Sequence, residues 1–302
     1  MKRVVITGAN GFIGSSLIKY LTSKGIKVIA IVKGECTSIQ NELVRTISTE
    51  NFLEEKDKIK DFNADVFFHL GWNGVSGEDR NSYKVQLDNI ENTIEYMYFA
   101  KEVNCKKFVF VGSIMEQETY LTAFENGCEP GLGYIYGASK LCAHSICKSL
   151  SKEINLPFVW AGITNTYGIG EKSKRLINTT LNKMILGEDL EFTSGIQNYD
   201  FVYIDDAVRA LYLIGEKGKA FNEYLIGSSS PKPLRAFLEE LVDVLNFRGK
   251  VSFGSIPFTG VNLPIDMFNC ENTRQDIGFI PEISFRDGIL KTFSWLKSSQ
   301  ED

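Results

Sequence analysis

The amino-acid sequence predicts an α/β protein with a doubly wound parallel sheet and a smaller, interleaved α/β domain toward the C-terminus. Two observations favour this class. Short apolar runs rich in β-branched residues, typical of strands buried on both faces, alternate with segments of helical periodicity. In addition, a glycine-rich turn follows the first apolar run directly and leads into the first helical segment.

The glycine-rich turn contains Gly8, Gly11 and Gly14. Glycine at these positions allows a tight reversal, a close approach of a ligand to the backbone, and close packing of the next helix. The helix N-terminus then presents free N–H groups and a partial positive charge to a pyrophosphate. Such glycines also occur in surface turns, but a helix at 15–24 and a second strand at 28–32 complete a βαβ unit here. The turn therefore predicts a dinucleotide site on a Rossmann-type sheet.

The remaining elements are predicted from the same periodicities. Further strands are expected at 44–47, 65–70, 106–113, 158–163 and 222–227, and further helices at 82–104, 136–151, 174–187 and 233–245. The segment 222–227 resembles the strand that returns to the first sheet in a known family of this fold, which implies that the second domain is interleaved with the first. We therefore expect a dinucleotide-binding domain over 1–165 with returning segments near 197–228, and a mainly substrate-binding domain over 166–302.

Composition excludes several classes of function. The 302 residues are 43% hydrophobic, enough for a sizeable core, and carry a formal net charge of −5 with no basic cluster, which argues against nucleic acid as a partner. No apolar run reaches the roughly 20 residues that span a bilayer, and no signal-peptide pattern is present. The six cysteines form no C-x-x-C pair, which favours reduced thiols over a metal site. We expect a cytoplasmic protein without membrane contact or structural metal.

Residues 7–14 read Thr-Gly-Ala-Asn-Gly-Phe-Ile-Gly and resemble the TGxxGxxG loop of the extended short-chain dehydrogenase/reductases. This NAD-dependent epimerase/dehydratase family acts on nucleotide sugars, and the resemblance extends from Val4 to about Gly288. It implies a strand end at Leu70 and Gly71 that passes under the cofactor. The cofactor contacts that the resemblance and the turn together imply are Gly8, Asn10, Gly11, Phe12, Ile13, Gly14, Lys33, Leu70, Gly71, Tyr136, Lys140 and Ile163.

The identity of the dinucleotide depends on the residues after the second strand. An acidic residue there binds both ribose hydroxyls of NAD, whereas a cation suits the extra phosphate of NADP. The first polar residue is Lys33, which favours NADP(H). A solvated surface lysine is the alternative, and Glu35 leaves NAD open as the cofactor.

Ser113, Tyr136 and Lys140 are the candidate catalytic residues. Ser113 ends a strand, and Tyr136 and Lys140 lie four residues apart on one helical face. In a reduction, Tyr136 would protonate the carbonyl oxygen, a positive charge at Lys140 would lower the pKa of the phenol from about 10, and Ser113 would hydrogen-bond the same oxygen. Tyr20 and Lys24 form a second such pair, expected at the surface.

Six residues are expected to contact the substrate. Trp72 follows a strand end, where ligands bind in open α/β sheets, and His69 just before it is expected to be a core histidine. The family places an asparagine near the substrate diphosphate, and Asn165 stands at that position here. Where the family usually has an arginine that binds the diphosphate, this chain has Tyr199. Where some epimerases have a second such arginine, it has Val261, Asn262 and Leu263. The expected substrate contacts are Trp72, Ser113, Met115, Tyr136, Asn165 and Tyr199.

The residues after Ser113 distinguish the activities of the family. Dehydratases place an Asp-Glu pair there and some epimerase-reductases a cysteine two residues on, but this chain has Ile114 and Met115. Glu116 is expected to be a solvated loop residue, and a side chain that reaches the site is the alternative. We therefore predict an NADP(H)-dependent reductase of a nucleotide-activated 4-keto sugar. A 4-epimerase with tightly bound NAD is the alternative, and a non-catalytic dinucleotide-binding sensor is less favoured.

The resemblance also implies a homodimer, in which helices at 82–104 and 136–151 pair into a four-helix bundle. Tyr96, Tyr98, Phe99 and Ile146 are apolar residues beyond those that one face of the sheet needs. Ordinary amphipathic core helices are the alternative interpretation.

Overall fold

A computed structural model describes residues 1–34, 41–49 and 56–301. Glu35, the residue that leaves NAD open in the sequence interpretation, lies outside these described residues.

The described strands and α-helices follow one another in the order expected for alternating α/β units. The strands are β1 (Arg3–Thr7), β2 (Lys27–Val32), β3 (Val44–Ser48), β4 (Val66–His69), β5 (Phe108–Ser113), β6 (Phe158–Ile163), β7 (Asn165–Tyr167), β8 (Leu190–Phe192), β9 (Asn198–Tyr199), β10 (Phe201–Tyr203), β11 (Glu223–Ile226), β12 (Lys232–Pro233) and β13 (Val251–Phe253). The α-helices are α1 (Phe12–Ser23), α2 (Tyr83–Glu102), α3 (Met115–Thr122), α4 (Tyr134–Glu153), α5 (Leu176–Leu186), α6 (Ile204–Lys217), α7 (Leu234–Val244), α8 (Glu271–Ile277) and α9 (Phe285–Glu301).

Seven of the described strands form one sheet in the order β11-β6-β5-β4-β1-β2-β3. All neighbouring pairs in it are parallel. The predicted α/β class with a doubly wound parallel sheet is thus confirmed. The strand order reverses between β1 and β4, so their carboxyl ends diverge into a crevice, the usual ligand position in such sheets.

Both faces of the sheet are covered, which explains why its central strands read as continuous apolar runs. On one face α1 and α6 pack together, with Leu17 and Leu211 fully buried. On the other face α2 packs against α4, and Met97 and Ala143 are fully buried there. The C-terminal part adds short strand pairs, β10 with β7, β12 with β9, and β13 with β8.

Five helices differ from the sequence-based expectation: α1 begins at a different residue, and α3, α6, α8 and α9 lie outside the predicted helices. Helix α1 begins at Phe12, three residues earlier than predicted, because Gly11 has extended backbone angles and can precede the first helical turn. Helix α3 was not predicted, since Glu116 and Glu118 interrupt an apolar stripe in its eight residues. Helix α9 was not predicted either, and it packs on α7.

No described helix combines the length and the apolar character needed to cross a bilayer. Within the same described residues, no three His, Cys, Asp or Glu side chains cluster as a metal ion would require.

Candidate active site

A cavity of about 1330 Å³ lies above the carboxyl ends of β1, β4, β5 and β6. This is larger than the roughly 300–1,000 Å³ of most ligand pockets and can hold a dinucleotide beside a substrate. The structure brings every predicted site residue into its lining. These residues are Gly8, Asn10, Gly11, Phe12, Ile13, Gly14, Lys33, Leu70, Gly71, Trp72, Ser113, Met115, Tyr136, Lys140, Ile163, Asn165 and Tyr199.

The glycine turn has the geometry that a pyrophosphate cradle needs. Gly8 has φ +66°, and a Cβ there would lie 2.8 Å from the backbone nitrogen of Gly71. A Cβ on Gly14 would lie 2.2 Å from the carbonyl oxygen of Gly8, so only glycine lets α1 start this close to β1. The turn therefore fits a dinucleotide, with the N-terminus of α1 toward the phosphates.

His69 is a core histidine, as expected. Its Nδ1 lies 2.8 Å from the hydroxyl of Thr7 and its Nε2 lies 3.0 Å from the hydroxyl of Thr93. Burial lowers the pKa of His69 to about 3, so the ring stays neutral. The Thr7 hydroxyl also accepts a hydrogen bond from the N–H of Gly71, and the network therefore fixes the strand ends below the cavity.

Two buried amides hold the loop that carries Trp72. The indole N–H of Trp72 donates to Gln86 Oε1 at 2.8 Å. Asn89 accepts from the backbone N–H of Asn73 and donates to its carbonyl oxygen, both at 2.8 Å. Because both amides come from α2, the helix positions Trp72 over the centre of the cavity.

Tyr136 and Lys140 are buried on one face of α4. Lys140 Nζ donates to the Val111 carbonyl oxygen at 3.0 Å and lies over the rings of Trp72 and Phe110. Burial lowers the pKa of Lys140 to about 7, against a smaller opposing effect of Glu116. Lys140 is therefore expected to change its charge near neutral pH.

Two arginines that the sequence interpretation missed face Tyr136. The guanidinium of Arg80 lies 4.2 Å from the ring centroid of Tyr136, and Arg175 lines the same cavity. Burial raises the pKa of Tyr136, and Arg80, Arg175 and Ser113 act in the opposite direction. Isolated arginines in segments without a motif carry no sequence signal, so only the fold shows that these two converge.

Ser113 ends β5, which packs against α4. Its Oγ accepts a hydrogen bond from the N–H of Met115 at 3.2 Å, and its own N–H donates to Glu116 Oε1 at 2.8 Å. The expectation that Glu116 is a solvated loop residue is wrong, because helix α3 carries its side chain into the interior, where it is 2% exposed.

The segment expected to contact the substrate diphosphate is rigidly held. Asn165 donates to the Asp200 carbonyl oxygen at 3.1 Å. Next to Tyr199, the backbone N–H of Asn198 donates to Asn262 Oδ1 at 2.8 Å, and the Asn198 amide donates to the Leu263 carbonyl oxygen. Asn262 and Leu263, which stand where some epimerases have a second diphosphate-binding arginine, thus position β9.

Lys33 lines the cavity beside the glycine turn, with an exposed side chain. Its Nζ lies 3.4 Å from Asn73 Oδ1, and its carbonyl oxygen accepts a hydrogen bond from Asn10. Among the described residues it has no carboxylate partner, so its charge is open to a ligand.

The fold and the cavity define an enzyme of the NAD(P)-dependent oxidoreductase or epimerase type. A glycine-rich turn follows the first strand of the parallel sheet, and Ser113, Tyr136 and Lys140 line the same crevice. The model of the NAD dependent epimerase/dehydratase family matches residues 4–227, and the chain belongs to that family.

Similar proteins cover almost the whole chain. The dTDP-glucose 4,6-dehydratase of Haemophilus influenzae is 26% identical over 98% of both chains. The dTDP-4-dehydro-6-deoxyglucose reductase of Escherichia coli is 24% identical over 95% of both chains. Among solved structures, WbmF of Bordetella bronchiseptica in complex with NADH aligns with a TM-score of 0.80 at 21% identity, over 99% of this chain and 93% of WbmF.

Proposed function

We propose that the protein is an NADP(H)-dependent reductase of a nucleotide-activated 4-keto sugar. The observation that carries the proposal is the grouping of Ser113, Tyr136 and Lys140 in one cavity from which Glu116 is turned away. Eliminating water from a sugar needs an acid and a base at the reacting carbons. Since the segment after Ser113 supplies neither to the cavity, reduction is favoured over dehydration.

The side chains have distinct parts in this reduction. Ser113 Oγ hydrogen-bonds the substrate carbonyl oxygen and fixes its position. Tyr136 donates the proton to that oxygen, and Lys140 and Arg80 favour the phenolate that remains. The nicotinamide supplies the hydride when the cofactor is bound. The half-buried indole of Trp72 lies next to Lys140 and limits the access of water to the reacting groups.

The substrate half of the cavity is suited to a nucleoside diphosphate. Arg80 and Arg175 supply positive charge where the family arginine is replaced by Tyr199. Guanidinium groups bind phosphates with charge-assisted hydrogen bonds. The Haemophilus and Escherichia relatives act on dTDP-linked sugars according to their names, which supports this class of substrate. Trp72, Met115 and Asn165 complete the walls around the sugar.

A 4-epimerase with tightly bound NAD is the second candidate, and it is favoured by one observation, the NADH complex of WbmF. The two candidates differ in how they hold the cofactor. The test measures NADPH oxidation by the purified protein with a panel of nucleotide 4-keto sugars, and identifies any cofactor that copurifies. Turnover with free NADPH supports the reductase. Non-dialysable NAD without NADPH oxidation would assign the protein to the epimerases.

A further inference from the structure

Glu116 is a buried acidic residue directly behind the active site. It is 2% exposed, and it is not among the described residues that line the cavity, although Ser113 and Met115 are. A buried carboxylate is costly unless hydrogen bonds and a positive partner replace the lost water. Its position therefore calls for a specific role that does not involve touching the substrate.

Three groups satisfy the Glu116 carboxylate. The backbone N–H of Ser113 donates to Oε1 at 2.8 Å. The indole N–H of Trp160 donates to both oxygens, at 3.2 Å and 3.0 Å. Nδ1 of His144 lies 3.1 Å from Oε2, and the imidazole stacks on the Trp160 indole with 5.4 Å between centroids. The carboxylate thus links the end of β5 to β6 and α4.

The backbone around Glu116 leaves room for this arrangement. A Cβ on Gly112 would lie 2.5 Å from Glu116 Oε1 and 2.2 Å from the indole nitrogen of Trp160. A Cβ on Gly162 would lie 1.7 Å from the Trp160 ring. Neither position accepts a side chain while the carboxylate and the indole stay in place, so two strands are shaped to admit them.

Glu116 and Lys140 act on the same stretch of β5. The pairing of β4 with β5 ends at His69 and Phe110. Beyond that point side chains bind two backbone groups of β5: Lys140 Nζ donates to the carbonyl oxygen of Val111, and Glu116 accepts from the N–H of Ser113. A buried cation and a buried anion therefore hold the strand end that carries the active-site serine.

We propose that Glu116 is a positioning residue that fixes Ser113 through its backbone and supplies the buried negative charge that balances the ammonium group of Lys140. Both parts act through other residues, since Glu116 does not reach the cavity. The inference rests on the proposed function only for the role of Ser113 in turnover. The effect on Lys140 is independent of which substrate the enzyme uses.

The charged and titratable groups around this pair limit what else could set the protonation of Lys140. They are His69 of β4, Tyr136 and His144 of α4, Glu223 of β11, and Arg80 before α2. Burial keeps His69 neutral. Glu223 Oε1 lies 3.7 Å from His144 Nε2, on the far side from the serine, and it also pairs with Lys148.

The test compares Glu116→Gln with Glu129→Gln, an exposed loop control. The chain is labelled with ¹³Cε-lysine, and the Lys140 signal is assigned by its loss in Lys140→Met. We expect Lys140 of the wild type to titrate with a midpoint of about 7. In Glu116→Gln the midpoint should fall by roughly 0.5 pH units or more, because the balancing charge is gone. The control should titrate like the wild type. A wild-type midpoint in Glu116→Gln would overturn the charge-balancing role.

Glu116→Asp separates positioning from charge, and it is also the comparison to use if Glu116→Gln does not fold. It retains the negative charge but shortens the side chain, which withdraws the oxygen from the Ser113 N–H. We expect turnover to fall roughly ten- to hundredfold, since small displacements of reacting groups are costly, with unchanged NADPH affinity and an unchanged Lys140 midpoint. Full turnover, or a midpoint that drops as in the Gln variant, contradicts the proposal. If the wild type reduces no nucleotide 4-keto sugar, the proposed function fails while the lysine titration still decides this inference.

Discussion

The ammonium group of Lys140 lies 3.9 Å from the centroid of the Trp72 indole ring, inside the protein. This contact and the hydrogen bond to Val111 only partly replace the lost water, and burial lowers the pKa of Lys140 from 10.5 to about 7. The candidate active site therefore contains a buried lysine whose charged form is less favourable than it is in water.

Replacing Lys140 with methionine should change the free energy of unfolding in a pH-dependent way. Below pH 7 the folded protein holds the charge at full cost. Between pH 7 and pH 10.5 the unfolded chain binds more protons than the folded one, so the wild type gains stability as the pH rises. Each pKa unit corresponds to about 1.4 kcal/mol. The stability of Lys140→Met relative to the wild type should thus fall from pH 6 to pH 9.5, as measured by urea unfolding.

Lys152→Met is the matched control, because Lys152 is exposed on the same helix. Its unfolding measures what the loss of a surface lysine does at each pH. If the free energies of unfolding of Lys140→Met and the wild type differ by a constant amount over this range, the pKa of Lys140 is not lowered in the folded protein.

Tyr136→Phe should reduce turnover by roughly 10²–10⁴, the range for loss of a general acid, with cofactor affinity nearly unchanged. Tyr20→Phe is the control, because Tyr20 forms the other Y-x-x-x-K pair, with Lys24. Tyr20 of α1 packs against Tyr212 of α6 and does not line the cavity. The measurement is NADPH oxidation with an active nucleotide 4-keto sugar. Full activity of the Phe variant would remove Tyr136 from the mechanism.

Arg80→Gln should weaken binding of a nucleoside diphosphate. A charge-assisted contact contributes about 1.5–3 kcal/mol, which corresponds to a ten- to hundredfold rise in Kd. Calorimetric titration with UDP and dTDP measures the effect. Arg235→Gln is a suitable control, because Arg235 also lies over an aromatic ring, that of Phe253 at 4.5 Å, but pairs with Glu239 away from the cavity. If the wild type and Arg80→Gln bind UDP and dTDP equally well, Arg80 does not contact the diphosphate.

The regular elements of the fold could be predicted from the sequence because local signals agree with tertiary packing. Apolar β-branched runs predict the central strands, and the glycine turn predicts the cradle, since Gly8 has a positive φ and a Cβ on Gly14 would meet the nearby carbonyl oxygen of Gly8. The candidate residues that belong to sequence motifs could be assigned to the cavity for the same reason. These signals act over a few residues and survive without knowledge of the fold. The close approach of Gly71 to Gly8 is a long-range contact that the turn alone does not show.

The parts that could not be predicted depend on long-range placement. Glu116 lies in an acidic segment without apolar periodicity, and its burial depends on Trp160 and His144, which are 44 and 28 residues away. Arg80 reaches Tyr136 from a loop that is positioned by amides of α2. No local pattern encodes such contacts, so a sequence interpretation assigns these charges to the solvent.

The expectation of a homodimer also changes in detail. Phe99 packs in the core of its own chain, and Tyr96 and Ile146 pack against that core. Of the residues expected on the paired face, Tyr98 is exposed, and Tyr83 and Leu87 are further exposed apolar residues of α2. They recur at helical spacing on one face, next to the small exposed residues Ala138, Cys142, Ser145 and Ser149 of α4.

We therefore predict a dimer through this face of α2 and α4. Light scattering at micromolar concentration should give twice 33.9 kDa, or about 68 kDa. Leu87→Asp should give a folded monomer, since it places a charge in the paired face, whereas Lys84→Asp beside it serves as a control for added negative charge. A wild-type monomer would contradict the prediction.

The last prediction concerns Lys33, whose Nζ lies within 3.4 Å of Asn73 Oδ1 at the edge of the cofactor cavity. If the 2′-phosphate of NADP(H) displaces that amide, the charge-assisted contact contributes about 1.5–3 kcal/mol, or a ten- to hundredfold preference over NAD(H). Lys33→Asp should reverse the preference, because a carboxylate repels the phosphate and accepts the ribose hydroxyls. Asn73→Ala is the companion variant: it removes the neighbour of the amine and leaves the charge, so the preference for NADPH should persist. Binding titrations with NADPH and NADH on the three proteins measure this. Equal affinities in the wild type, or no change in Lys33→Asp, would mean that Lys33 stays in solvent and that the epimerase with bound NAD takes first place.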